Sequence, residues 1–150
     1  MRLISRIKAL LGSGAAELKS DQLTERELIR LKGFQPVARI SDDDLVFLIQ
    51  REFPNDVNVV RDKLNGIDDF FEEKNRISAA VLKLADGDIT RLDEFVQRAN
   101  SDFRDVLAPA EYPRQFRYGF GNRTEEESKE DSLQDWEEYC AWKEHGRAME

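Results

Sequence analysis

Apolar residues recur at helical spacing along most of this chain, most clearly between residues 76 and 108. Two amphipathic stretches, 76–85 and 89–108, are joined by Asp86-Gly87-Asp88. The apolar stripe of the second stretch continues for about five turns. Glycine can end a helix in the left-handed conformation, and aspartate can cap the helix that follows, so this joint predicts two antiparallel helices. We therefore expect a helical hairpin at the centre of the fold.

Capping signals predict further helices outside the hairpin. A hydroxyl residue followed three positions later by a carboxylate is typical of a helix start, and it occurs at Thr24, Ser41, Thr124 and Ser132. Combined with the apolar spacing, these signals predict helices over 23–32, 42–53, 56–66 and 133–145.

Prolines and charge runs predict breaks after the hairpin. We expect Pro109 and Pro113 to end its second helix, 115–122 to form an irregular aromatic strap, and 123–131 to be a linker or frayed helix. The predicted fold class is all-α, a single bundle of five or six helices around the hairpin. The predicted organisation is 1–20 as an amphipathic segment with a flexible break, 21–122 as the helical domain, and 123–150 as a charged linker and C-terminal amphipathic helix.

Composition excludes several classes of site. The net charge of −8 over 150 residues argues against general nucleic-acid binding, which needs a surplus of lysine and arginine. The chain has one cysteine, Cys140, and one histidine, His145, too few for an intrachain disulfide or a Cys/His zinc site. Their five-residue spacing places them on different faces of a helix, so a nucleophile–base pair is not indicated. A reducing cytoplasm is the expected setting.

The first residues differ from the rest of the chain. Residues 1–20 carry a charge of +3, against −11 for the remainder. Basic side chains alternate there with an apolar stripe formed by Leu3, Ile4, Ile7, Leu10 and Leu11. This pattern predicts a short amphipathic helix with two alternative roles. It could contact a membrane surface or a partner, or it could pack on the acidic body of its own chain, which is the commoner arrangement.

Carboxylate clusters occur at 42–44, at 68–69 with 72–73, and at Asp86 with Asp88. Hard cations use oxygen ligands at defined spacings, and the 86–90 loop lacks the later ligands of a calcium loop. Carboxylates in a first helical turn already interact favourably with the helix dipole, so we expect no metal and no cofactor. Asp102, Arg104 and Asp105 could form a polar recognition face beside the corner at Tyr112, or an ordinary solvated helix face.

Three segments carry a resemblance. The stretches 76–88, 102–107 and 110–113 are similar to a group of small uncharacterised bacterial helical proteins with Leu-Lys-Leu-Ala-x-Gly-Asp, Asp-Tyr-Arg-Asp-Val-Leu and Ala-Glu-Tyr-Pro motifs. This chain departs from the pattern at Phe103, where the motif has tyrosine, and at Pro109. The match covers about a quarter of the chain. It implies a bacterial, cytoplasmic setting and a helical hairpin, but no activity.

The leading functional hypothesis is a non-enzymatic cytoplasmic protein-binding module, most concretely an immunity or antitoxin-like protein that docks a basic partner. The expected contact residues are Asp42, Asp43, Asp68, Asp69, Asp102, Arg104, Asp105 and Tyr112. One alternative is a peripheral membrane or scaffold module that uses residues 1–12 as its adhesive element. Another is an enzyme or metal protein that uses the carboxylate clusters.

Overall fold

The computed structural model describes residues 24–33, 35–68, 73–119 and 121–147. Within these ranges the chain forms eight α-helices and no strand, which confirms the all-α class. The helices are α1 (Glu25–Lys32), α2 (Asp42–Glu52), α3 (Val57–Leu64), α4 (Lys74–Ala85), α5 (Ile89–Ser101), α6 (Arg104–Glu111), α7 (Pro113–Tyr118) and α8 (Glu125–Glu144). The number exceeds the predicted five or six because residues 104–118 form two further short helices.

Three predicted helix starts carry the expected capping box. In α1, α2 and α8 the hydroxyl of Thr24, Ser41 or Thr124 accepts from a backbone amide three residues on, and the side chain at that position accepts in return. Helix α1 ends as predicted at Gly33, whose φ of 82° is the left-handed conformation that glycine adopts without strain.

Helix α4 is the most buried element of the fold. Every residue from Ile77 to Leu82 is at most 3% exposed. Small side chains at Ser78, Ala79 and Ala80 allow neighbouring helices to approach closely, and α4 packs against α2, α5 and α6. Helices α4 and α5 are joined by 86–88, where Asp86 and Gly87 adopt positive φ and Asp88 accepts from the Thr90 amide at 2.9 Å.

The prediction of one continuous helix over 89–108 is wrong. Helix α5 ends at Ser101, and α6 begins three residues later. Asp102 is extended (φ −158°), and its carboxylate accepts from both the amide and the guanidinium of Arg104. Aspartate side chains compete with helical hydrogen bonds in this way, so the local bonds divide the apolar stripe between two helices.

Pro109 does not end a helix, contrary to prediction. It lies inside α6, where it removes one amide donor, and the carbonyl deprived of that donor belongs to exposed Asp105, which water can reach. Burial of Val106, Leu107 and Ala110 holds α6 in place. Pro113 instead begins α7, a position suited to its fixed φ, so the predicted irregular strap is wrong for 115–118.

The charged run before residue 133 is helical rather than a linker. Helix α8 is continuous for 20 residues from Glu125, and the capping signal at Ser132 is wrong because Ser132 is buried in mid-helix. The buried face of α8 carries two carboxylates, each with a partner. Asp131 pairs with Arg123 at 2.9 Å, and Asp135 accepts from the Arg114 amide at 3.1 Å.

A second apolar cluster joins α8 to the start of the described chain. It consists of Ile29, Ala38, Leu133, Trp136 and Tyr139, with Cys140 and Trp142 half-buried beside it. Trp142 also contacts the main core around α4. The two clusters therefore meet at the C-terminal end of α8.

A buried ion pair connects α4 to the end of α6. Glu111 is 1% exposed, and the Arg76 guanidinium donates to both its carboxylate oxygens, Nε to Oε2 at 2.9 Å and Nη2 to Oε1 at 2.7 Å. The Glu111 carbonyl accepts from buried Gln35 at 3.2 Å. Gln35 in turn accepts from Gln115, at 3.5 Å. Three helices, α4, α6 and α7, thus share one polar network with the 35–40 connector.

Removing one partner of this pair leaves a buried charge without compensation. We expect Glu111→Ala to lower the free energy of unfolding by about 3 kcal/mol, measured by urea denaturation. The double variant Arg76→Met/Glu111→Leu is expected to recover most of that loss because neither charge remains. Glu94→Ala breaks an exposed pair with Arg98 and is expected to cost less than about 0.5 kcal/mol. Equal losses for Glu111→Ala and Glu94→Ala would contradict this account.

Asp44 links the first turn of α2 to the C-terminal end of α8. Its carboxylate lies 2.9 Å from Arg147 Nη2 and 3.8 Å from Lys143 Nζ. Burial raises the pKa of Asp44, but hydrogen bonds from Ser41 and the charges of Lys143 and Arg147 outweigh burial and lower it overall. The ionised carboxylate therefore stabilises the fold at neutral pH, and this contribution disappears as the pH falls through the lowered pKa.

Asp44→Asn keeps a capping oxygen but removes the charge. We expect it to reduce the free energy of unfolding by about 1 kcal/mol at pH 7. The difference from the parent protein should shrink as the pH falls through the lowered pKa of Asp44, because the parent carboxyl then becomes protonated as well. Chemical denaturation over this pH range measures both values. A difference that is constant with pH would show that the carboxylate charge does not hold the two helices together.

Candidate functional site

The first turn of α2 carries two of the predicted contact residues. Asp42 and Asp43 are exposed, and neither forms an ion pair within the described part of the chain. Asp42 Oδ1 accepts from Asn75 Nδ2 at 2.8 Å, and the same amide nitrogen donates to the Ile40 carbonyl. Asn75 therefore holds the α2 start against the α4 start and fixes the position of one aspartate.

A second group of predicted contact residues lies near the end of α5. Asn100, in α5, holds the segment that follows α3. Its Oδ1 accepts from the Asp68 amide at 2.9 Å, and its Nδ2 donates to the Gly66 carbonyl at 2.8 Å. Asp102 follows α5 directly, and Asp105 is exposed in the first turn of α6. Asp69 lies outside the described residues.

Arg104 forms a local ion pair. Its Nε and Nη2 each lie 2.9 Å from a carboxylate oxygen of Asp102. These hydrogen bonds lower the pKa of Asp102 and raise that of Arg104. The pair thus shapes the turn between α5 and α6, although the exposed guanidinium can still contact a partner.

Tyr112 belongs to the buried network. It is half-buried, and its hydroxyl oxygen accepts from Arg76 Nη2 at 3.3 Å. Burial is the main cause that raises the pKa of its phenol. Tyr112 therefore contributes to the packing of α6 against α4, and little of it is available at the surface.

Helix α8 carries more carboxylates than any other described helix, but basic neighbours neutralise much of this charge. Six of its glutamates form ion pairs: Glu125 with Lys129, Glu127 with Arg123, Glu130 with Arg30, Glu137 with Arg26, Glu138 with Arg114, and Glu144 with Lys143. The exposed aspartates of the α2 start have no such cation. Asp42 and Asp43 are thus surface acids without an ion pair among the described residues, as are Asp105 and Glu126.

An apolar groove begins beside Asp42. It has a volume of about 300 Å³ and lies among α2, α3 and the start of α4. Its apolar lining consists of Leu45, Val46, Ile49 and Leu64. Val46 is 38% exposed at this surface. Asp42, Arg61 and Lys74 also line the groove, so charges of both signs border the aliphatic side chains. This combination suits a protein partner better than a small polar ligand.

Part of this groove was detectable in the sequence. Five consecutive apolar residues, 45–49, are more than one helix face can bury, so some of them must face solvent. What the sequence did not indicate was the role of Asn75, since its contacts lie more than 30 residues away.

Two further findings concern ligands and membranes. Across the described residues, no group of three or more histidine, cysteine, aspartate and glutamate side chains is arranged to hold a metal ion. None of the helices in those ranges is both long and apolar enough to span a bilayer. The predicted membrane-contact residues Leu3, Ile4, Ile7, Leu10 and Leu11 lie outside the described part of the chain.

Comparisons with known proteins identify no relative. Neither protein-family patterns, nor curated protein sequences, nor solved structures gave a match to this chain.

Proposed function

We propose that this protein is a non-enzymatic binding module that docks a basic protein through the start of α2 and the groove beside it. The observation that carries the proposal is the start of α2, where exposed Asp42 and Asp43 have no ion-pair partner among the described residues and Asp42 borders a groove with an apolar lining. Apolar contact would supply affinity, and the carboxylates would select a partner of opposite charge.

The charge of the whole chain supports the same partner class. Residues 21–150 carry −11, so the field around the body attracts cationic surfaces and accelerates their encounter. Exposed charges are screened within about 8 Å at physiological salt, so this attraction should weaken strongly as salt is added.

An immunity or antitoxin role is the most concrete form of the proposal. A small acidic protein can block a basic toxin by covering its cationic surface, and this requires no catalytic group in the blocking protein. The size and charge of this chain fit that role.

Reversing the two aspartates should weaken binding. The measurement begins with affinity capture by the full-length tagged protein from a lysate of its host, followed by purification of the dominant basic protein retained at low salt. We expect Asp42→Lys/Asp43→Lys to raise the Kd for that protein roughly tenfold at low salt, with a smaller change at high salt. Titration calorimetry at both salt concentrations gives the values.

The chain offers a matched control for this variant. Glu125 and Glu126 occupy the same two positions after Thr124 in α8 as Asp42 and Asp43 occupy after Ser41 in α2. Glu125→Lys/Glu126→Lys therefore makes the same change of charge with a comparable helix-dipole cost. It also breaks the exposed pair of Glu125 with Lys129, which contributes little to stability. We expect it to alter the Kd by less than about twofold. Equal weakening by both double variants would attribute the effect to net charge and would overturn the assigned surface.

A further inference from the structure

A second groove lies between the 35–40 connector and α8. It has a volume of about 410 Å³, and Pro36, Val37, Trp136 and Cys140 contribute to its lining. Val37 is 51% exposed. Tyr139, which also lines the groove, is 1% exposed, and its hydroxyl has no hydrogen-bond partner among the described residues. This surface is thus apolar, with one buried polar group still unsatisfied.

The rim of this groove carries charges of both signs, with Glu25 and Glu144 beside Arg39 and Lys143. Burial is the main cause that raises the pKa of the Cys140 thiol to about 11, and the charges of Glu25, Glu144 and Glu137 raise it further. Lys143 acts in the opposite direction. Glu144 is paired with Lys143 and Arg147, whereas Glu25 forms no ion pair within the described residues. Glu25 is therefore the rim carboxylate that can attract a basic side chain.

The described chain begins at the same rim. Thr24 caps α1, and the next residue, Glu25, lines the groove and accepts from Trp136 Nε1 at 3.0 Å. The 23 residues that precede Thr24 therefore join the described fold beside the groove.

Those residues have a complementary sequence. Their apolar positions 3, 4, 7, 10 and 11 would fall along one stripe of a helix, and Arg2, Arg6 and Lys8 flank it. Residues 13–23 can span up to roughly 35 Å, since an extended residue advances about 3.3 Å. A tether this short gives a millimolar effective concentration, which favours even a weak contact within the chain.

We propose that residues 1–12 dock in this groove, with their apolar stripe against Val37 and Trp136 and a basic side chain towards Glu25. The inference is independent of the partner surface at α2, which uses a different groove. Under this proposal the amphipathic segment binds a groove of its own chain instead of a membrane surface.

Cys140 provides the test, because it is the only cysteine of the chain and lines the groove. We expect removal of residues 2–12 to increase the alkylation rate of Cys140 by N-ethylmaleimide about tenfold, the change expected if the groove is covered nine-tenths of the time. Mass spectrometry at fixed pH follows the modification. Adding a synthetic peptide of residues 1–12 to the shortened protein should restore slow alkylation at saturating concentration.

Point variants separate docking from general loosening. Ile7→Asp/Leu10→Asp changes the apolar stripe and should reproduce the faster alkylation. Ser5→Asp/Ala9→Asp adds the same charge on the opposite helix face and should alkylate at less than about twice the parent rate. Circular dichroism shows whether each variant is folded. The alkylation rate of each variant in urea gives the value for the unfolded chain, so that unfolding can be distinguished from loss of docking.

Three results would overturn the inference. One is an alkylation rate unaffected by the deletion in a folded variant. Another is equal acceleration by the two aspartate pairs, which would assign the effect to charge alone. A third is protection that rises with protein concentration together with a dimer in sedimentation, because the segment would then occupy the groove of a second copy.

Discussion

The buried ion pair between Arg76 and Glu111 determines how the helices of this fold meet. Glu111 is almost fully removed from water, and an isolated carboxylate there would be strongly destabilising. Because both its oxygens accept from one guanidinium, α6 can pack on α4 only in the register that brings these side chains together. The Glu111 carbonyl and Gln35 extend the same constraint to the connector that borders both the α4 start and the α8 groove.

The distribution of charge follows from that packing. The sequence of α8 is among the most acidic parts of the chain. The fold brings Arg26, Arg30 and Arg114 to this helix, and these cations neutralise several of its carboxylates. Helix α2 contributes Asp44 to internal ion pairs and leaves Asp42 and Asp43 facing solvent. Local acidity in the sequence is therefore a poor guide to the electrostatic surface, since pairing depends on contacts distant in sequence.

Features that depend on local chemistry were predictable here. The capping boxes at Thr24, Ser41 and Thr124 and the glycine end of α1 are decided within four or five residues, and all were identified. Features that depend on tertiary contacts were not. The side-chain bonds of Asp102 divided one expected helix, and core contacts kept Pro109 inside α6. Ion pairs with Arg123 and Arg114 allowed Asp131 and Asp135 to face inward in a continuous α8. For the same reason, the sequence was enough to predict the α2 aspartates as contact residues. It was not enough to predict the groove beside Asp42, because α3 and α4 form part of its lining.

Hydrogen–deuterium exchange of this protein, alone and bound to its purified basic partner, tests the proposed binding surface most directly. The account predicts slower exchange on binding for residues 42–50 and 57–65, while 125–135 is unchanged. Protection of 125–135 with no change at the start of α2 would contradict it, because the partner would then recognise the helix whose carboxylates are already paired.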